Sequence, residues 1–515
     1  MLPPTREVLI MSKMLGKVFL LALISLFIFS SGAFAYPVSL QMVEDVARTH
    51  LRANNELERL AALTARKVFE KRSISTPDII ELQDDQTGEI LAYVLGLNPE
   101  GFIVVSPDTD ITPVIAYSFE GNFPLEDFQD NVLLHMVTWD MENRLEAIPI
   151  VSDELKEKNN DLWERYLSAE DSFLGRLVRA TQYGPYLDTT WEQGSPYNED
   201  CPIDPVTQNK CIVGCVATAM AQIVNYHQYP TSVTFTSADD YKSVYDPKDG
   251  KGTRTIDITA TDANIPSITY PASDDTAAKI SFACGVSVDM GYSSVAAGAH
   301  TYNVATALKN KFGYTSATAY ATSSYWAGVY GIPYASAFYS RLQDDMKNIQ
   351  PAELAISGTL GGHAIVCDGY NSTTDQYHLN YGWGVNSPPG GTTNWWYALP
   401  AGMYSFNIVK YGVLDIEPPE QPIGQAMYVD PEGSCGGNSP CYTTVQTSVN
   451  AASTGTTIRI LQGNYSENVT LSTSKRVTLS GGWNSSYTTQ SSNSSVSSLG
   501  RSAGTLIADR VGVQR

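Results

Sequence analysis

Basic residues are scarce in this chain: 33 Lys and Arg stand against 54 Asp and Glu in 515 residues, giving a formal net charge of -21 and a pI near 4.6. A surface of that sign argues against nucleic acid or anionic membrane as a partner, since both recruit Lys and Arg. Long apolar runs are missing as well. The run from Val18 to Phe29 is shorter than the ~20 residues a spanning helix needs, and no later stretch is long and apolar enough to cross a bilayer. Cysteine is sparse and odd in number, seven in all, so at least one thiol stays free unless pairing is intermolecular. What remains, 43% hydrophobic and 17% charged with abundant Gly and Tyr, is the composition of folded, loop-rich protein. The length exceeds what one hydrophobic core organises, so more than one domain is expected.

The first 35 residues read as a signal peptide. Lys13 and Lys17 precede the apolar run, and Ala33-Phe34-Ala35 forms a small-x-small cleavage site. The expected product is a soluble exported precursor beginning near Tyr36. From Val38 to about Ala65 apolar residues recur at helical spacing. EILAYVLGL, GFIVVSP and ITPVIAYSFEG then read as strands, and a charged helical segment runs from Glu142 to about Leu167. Residues 36–180 therefore form a small α+β unit ending in a connector that carries Arg176 and Arg179. Residues 181–417 are richer in Gly, Tyr, Ser, Thr and Trp, with a helix from Cys215 to about His227 and strands in AELAISG, GHAIVCDGY and YHLNYGW. PPEQP stiffens a linker at 418–424. Residues 425–515 hold short β-branched runs, TTIRILQG, NVTLST, RVTLSGGW and GTLIADR, spaced like the first rungs of a parallel β-helix.

GCVATAMAQIVNYHQYP sets Cys215 after Gly214 and at the start of a helix. Unpaired N–H groups there favour thiolate over thiol, and a neighbouring N–H can donate to an oxyanion. GGHAIVCDGY places His363 after Gly361 and Gly362, which leave room beside the imidazole; it can take the thiol proton and return it to a leaving amine. In YHLNYGWG, Asn380 can orient the imidazole and Trp383 can shield that hydrogen bond. Upstream, Gln193 in WEQGSPYN is a side-chain donor for the oxyanion. Cys215 and His363 thus read as nucleophile and base, Asn380 and Gln193 as their supports, with Gly214, Gly362 and Trp383 lining the site.

These segments resemble those of the streptopain family of papain-fold cysteine peptidases over most of 191–417. WEQGSPYN is similar to the family's Q-G-x-P-Y-N, GCVATAMAQIVNYHQYP to its Cys run, GVSVDMGY to a shared wall segment, and GGHAIVCDGY with YHLNYGWG to its His and Asn-Trp segments. The resemblance implies a papain-like α+β peptidase domain, the four roles just given, and a secreted zymogen. It also implies that 36 to about 180 is an inhibitory propeptide that blocks the site, with activation cutting between about Ser168 and Tyr186. Protein or peptide substrates and the chain's own propeptide are the implied partners; no cofactor and no metal are. Two departures stand: Tyr381 where the family commonly has Trp, and the insert NSPPGGTTNWW in place of a shorter turn.

Rival readings are specific. Zinc would draw on Cys201, Cys211, Cys215, His227 and His363, but the cysteine spacing lacks a CxxC knuckle. His227 instead suits the end of the Cys215 helix as a charged cap. Cys435 with Cys441, and Cys201 with Cys211, are each placed to close a short loop by a disulfide; Cys284 and Cys367 fall in apolar runs as buried thiols. A surface or matrix binder with an inactive papain-like domain, and a C-terminal module that meets a glycan or protein, is a second class of function. A transamidase on the same fold is a third.

Overall fold

The computed structural model describes residues 38–515 apart from 66–70, 126–131, 179–181, 359–360, 385–393, 400–407, 420–425, 453–454, 473–475, 502–504 and 514–515. The expected signal peptide lies outside the described residues. Helix α1 (Leu40–Ala65) buries Val43, Val46, Ala47 and Leu51, the stripe its spacing predicts. Strands β1 (Ser73–Gln83), β2 (Ile90–Asn98), β3 (Phe102–Val105) and β4 (Val114–Ser118) then form an antiparallel meander. β1 was not expected, because Pro77 interrupts it. The chain accommodates that proline by making β1 the edge strand and slipping register between Ile74 and Ile79.

The segment read as one helix from Glu142 is two, α2 (Val132–Ala147) and α3 (Asp153–Ser168), parted by a 3-10 turn at Ile148–Ile150 that carries Pro149. Ser152 caps α3 by accepting from the Leu155 N–H. The connector is also more ordered than its sequence suggests. Helix α4 (Asp171–Val178) buries Phe173, Leu174 and Leu177 in the same core as α1, and β5 (Gln182–Tyr183) pairs with a strand of the central part.

The central part packs α5 (Cys215–His227) and α6 (Asp274–Ser287) over one face of a sheet. A hairpin of β6 (Tyr241–Tyr245) and β7 (Arg254–Ile258) stands apart. The sheet runs through β8 (Ser316–Ala321), β9 (Ala352–Gly358), β10 (Gly361–Asn371), β11 (Gln376–Asn380), β12 (Asn394–Tyr397) and β13 (Val409–Glu417). Its order is β1-β2-β3-β4-β12-β11-β10-β9-β13-β8, so the N-terminal and central parts share one sheet, joined where Trp396 faces Tyr117 and Tyr397 faces Ala116. One apolar core spans the join, with Leu91, Phe102 and Met136 packed among Ile365, Leu379 and Trp395.

After 426, β14 (Met427–Val429), β15 (Cys441–Tyr442), β16 (Thr456–Leu461), β18 (Arg476–Trp483) and β20 (Thr505–Asp509) form one parallel sheet. β17 (Gly463–Leu471), β19 (Ser494–Arg501) and β21 (Val511–Val513) form another. Apolar side chains such as Val429, Ile458, Leu479, Val469 and Val496 fill the space between them.

Charge is also buried across the shared sheet. From α2, Asp140 and Arg144 pair at 2.8 Å with almost no solvent exposure. The Tyr397 hydroxyl donates to Asp140 at 2.6 Å, and the Arg144 guanidinium donates to the Ala398 carbonyl. Removing one member of such a group leaves the other charged and dry. In a precursor carrying Cys215→Ala, Arg144→Ala should lower stability by about 3–5 kcal/mol, and Tyr397→Phe by about 1–2 kcal/mol, both measured by urea unfolding.

Candidate active site

Cys215 opens α5, and the residue before it is forced to be glycine: Gly214 has φ +88°, and a Cβ there would lie 2.7 Å from Met290 Sδ. Val216 to Asn225 are all buried, so the helix is fixed by packing and the thiol is delivered at its N-terminus, half-buried. The backbone N–H groups of Ala364, Val216 and Cys215 itself are directed at the sulfur. Burial nevertheless outweighs them and pushes the thiol up, so the expected lowering by the helix terminus is not the net result here.

His363 immediately precedes Ala364 in β10 but does not share its side of the sheet. Along β10, Ala364 and Val366 join the core under α5, whereas Ile365 and Cys367 join the core shared with the N-terminal part. Strand alternation puts His363 with the second set. Its ring lies 6.2 Å from that of Tyr381, nearly parallel, and 5.3 Å edge-on from Trp383. Nε2 is 3.0 Å from the Tyr381 carbonyl, so that nitrogen carries the hydrogen and donates it. Burial lowers the imidazole to about 4, which leaves it neutral at pH 7. Among the described residues no hydrogen bond joins it to Cys215.

Asn380, expected on the imidazole, is occupied elsewhere. It pairs with Val366 and so falls on the α5 side, where its amide donates to the Thr189 carbonyl at 2.9 Å and its oxygen accepts from Gln222 Nε2 and the Gly382 N–H. Gln193 is half-buried; its carbonyl accepts from the Val213 N–H at 2.9 Å, and its carboxamide makes no hydrogen bond among the described residues. Gly362 is exposed opposite Ser357. Gln222 is the residue that sequence reasoning missed. It is fully buried, two helical turns beyond Cys215, and binds Thr189, the Trp191 N–H and Asn380. A carboxamide among the Ala-rich turns of the helix was the available signal.

Other expectations fail for physical reasons. His227 is no charged cap: burial lowers it to about 3, and the Gln228 N–H satisfies the helix end by donating to Asn225 and Val224. Cys435 and Cys441 are disulfide-bonded, but Cys201 and Cys211 remain buried thiols, since the backbone pairing sets Cys211 against Pro202, one place off Cys201. Among the described residues no cluster of three or more His, Cys, Asp or Glu is placed to hold a metal.

Comparison with known proteins follows the same division of the chain. A family model described as Peptidase C10 family matches residues 191–397, and one described as Spi protease inhibitor matches residues 35–142. Streptopain of Streptococcus pyogenes is 26% identical over 329 residues, covering 60% of this chain and 74% of its own. The chain is a streptopain-like cysteine peptidase preceded by its propeptide. The thiol protease/hemagglutinin PrtT of Porphyromonas gingivalis is 25% identical over 290 residues, 55% of this chain and 32% of that one. A Prevotella intermedia prointerpain A fragment aligns with 66% of the chain and 98% of its own at 23% identity and TM-score 0.41. The peptidase is a zymogen of mixed α+β architecture, and the inhibitor segment that matches separately is covalently attached and docked on its sheet. Among the described residues no helix is long and apolar enough to cross a membrane.

The imidazole provides a direct check of the precursor state. In a precursor carrying Cys215→Ala and ¹⁵N-labelled histidine, His363 should titrate near pH 4, whereas in the matured Cys215 enzyme its midpoint should rise, because a thiolate neighbour favours the imidazolium. An unchanged midpoint would mean that maturation does not alter its surroundings.

Proposed function

We propose that the protein is an exported endopeptidase zymogen in which Cys215 is the nucleophile, His363 its base, Gln193 the side-chain donor to the oxyanion and Asn380 a positioning residue. The observation that supports it most is the convergence at Ala364. Its N–H addresses the Cys215 sulfur while the preceding residue is His363, so thiol and imidazole are held at neighbouring points of one strand. In the proposed reaction the imidazole takes the thiol proton, and the thiolate attacks the peptide carbonyl. The C–N bond breaks as the imidazolium returns the proton to the amine, and water then cleaves the thioester. In the precursor the imidazole is instead held on the Tyr381 carbonyl, and the Tyr381 hydroxyl touches Met136 of the propeptide at 2.6 Å. Loss of the propeptide removes that support.

Maturation is read as a cut after α4 and before β5, since α4 packs in the propeptide core and β5 is bonded to β10. The C-terminal module is read as a short parallel β-helix appended to the peptidase, with a glycan or protein as its prospective surface partner. Hydrolysis is favoured over transamidation because the matching family is a peptidase family and one relative is named a thiol protease/hemagglutinin.

Cys215→Ala should abolish casein hydrolysis and accumulate as uncut precursor, seen by intact-mass measurement; normal processing of that variant would assign activation to another protease. Gln193→Ala should lose about 10²- to 10³-fold in kcat while Cys215 alkylates at an unchanged rate, which separates oxyanion support from thiol activation.

A further inference from the structure

Beside the proposed site lies a carboxylate with no counter-charge among the described residues. Glu192 is half-buried next to Gln193, and its carboxyl group lies flat over Gly384. A Cβ on that glycine would meet Glu192 Cδ at 3.1 Å and its two oxygens at 3.2 and 3.3 Å. The placement is fixed from both sides. Trp191 is buried and stacked on Tyr197 at 5.6 Å, and its carbonyl accepts from the Gly384 N–H. Among the described residues neither Glu192 oxygen receives a hydrogen bond or an ion pair. Partial burial alone pushes its pKa up, with no basic group offsetting it. The titratable neighbours are Tyr197, which feels Glu192, and beyond it Asp274, which is acidic as well. Residues 385–393, which follow Gly384, contain no Lys, Arg or His.

Its position relative to the chemistry is set by Trp383. That ring meets His363 edge-on and immediately precedes Gly384. The imidazole that donates a proton to the departing amine must face the leaving-group side of the scissile bond. Glu192 therefore flanks the path of the residues that leave. An incoming cation would supply the missing counter-charge in a partly desolvated place, where attraction is stronger than in open water.

We propose that Glu192 is a specificity-determining residue that selects peptide substrates bearing a Lys or Arg side chain within the first two positions after the scissile bond. The proposal rests on the assignment of Cys215 and His363 given above. It extends that assignment from the reaction to the class of peptide bond cut.

The test uses enzyme matured from the full chain and quenched fluorescent peptides that differ only at the first or second position after the cut, with Lys, Gln or Glu there. In the wild type, kcat/KM should favour Lys over Glu by on the order of tenfold. The preference should weaken in high salt and fall away at acid pH as the carboxylate protonates. Glu192→Gln should bring the ratio to within about twofold, and Glu192→Lys should invert it; comparing substrates within one variant makes the ratio independent of how much of each preparation is active. No preference in the wild type, or a preference that survives Glu192→Gln, overturns the proposal. Cleavage that persists in Cys215→Ala overturns the nucleophile assignment instead, whatever the Glu192 variants show.

Discussion

Successive residues of a β-strand project to opposite faces of the sheet, and the chemistry of this protein depends on how β10 uses that constraint. Ala364 faces α5 and directs its N–H at the Cys215 sulfur, whereas His363 faces the core shared with the propeptide and donates a hydrogen bond to the Tyr381 carbonyl. Two neighbouring residues of one strand are thus engaged on opposite faces of the sheet, Ala364 toward Cys215 and His363 toward Tyr381. Gly361 and Gly362 precede the histidine on the strand, and Ile365 follows it on the same face. Burial pushes the thiol up and the imidazole down, which keeps both neutral in this arrangement.

The propeptide acts on this arrangement through continuity. Pairing β4 with β12 extends the peptidase sheet and lets one apolar core run across both parts. Apolar burial supplies attraction without direction; direction comes from the buried Asp140, Arg144 and Tyr397 group, whose hydrogen bonds cross the join. A charged pair so placed costs desolvation, so its value lies in rejecting misregistered docking more than in strength. Met136 lies on the same helix as that pair and touches Tyr381, which links correct docking to the carbonyl that holds His363.

Much of this was legible in the sequence where a residue type carries its own physics. Alternating apolar runs gave β2, β3 and β4, the Ala-rich stretch after Cys215 gave α5, and TTIRILQG and RVTLSGGW gave β16 and β18. β19 was missed because SSVSSLGR is rich in serine, and its pairing comes from neighbours in the parallel stack rather than from its own propensity. His227 and Cys201 were misread for a related reason. Their helix-end and loop positions were visible, but charge state and pairing depend on burial and register, which are properties of the assembled fold.

Asn380 shows how a residue picked out by sequence pattern can be engaged in a different task. The sequence pattern places it near the imidazole, but three hydrogen bonds tie its carboxamide to Thr189, Gln222 and Gly382. Gln222 in turn binds Thr189 and the Trp191 N–H, so one buried pair of amides fixes residues 189–191 against α5. The next residues are Glu192 and Gln193, and the Val213 N–H closes the loop by donating to the Gln193 carbonyl two residues before Cys215. An oxyanion donor is useful only if it is held in place before the charge develops. The buried amides hold the segment that carries Gln193, while the Gln193 side chain itself is left unengaged among the described residues. Because a half-satisfied buried amide is costly, replacing either Asn380 or Gln222 would disturb that segment even though neither needs to touch the substrate.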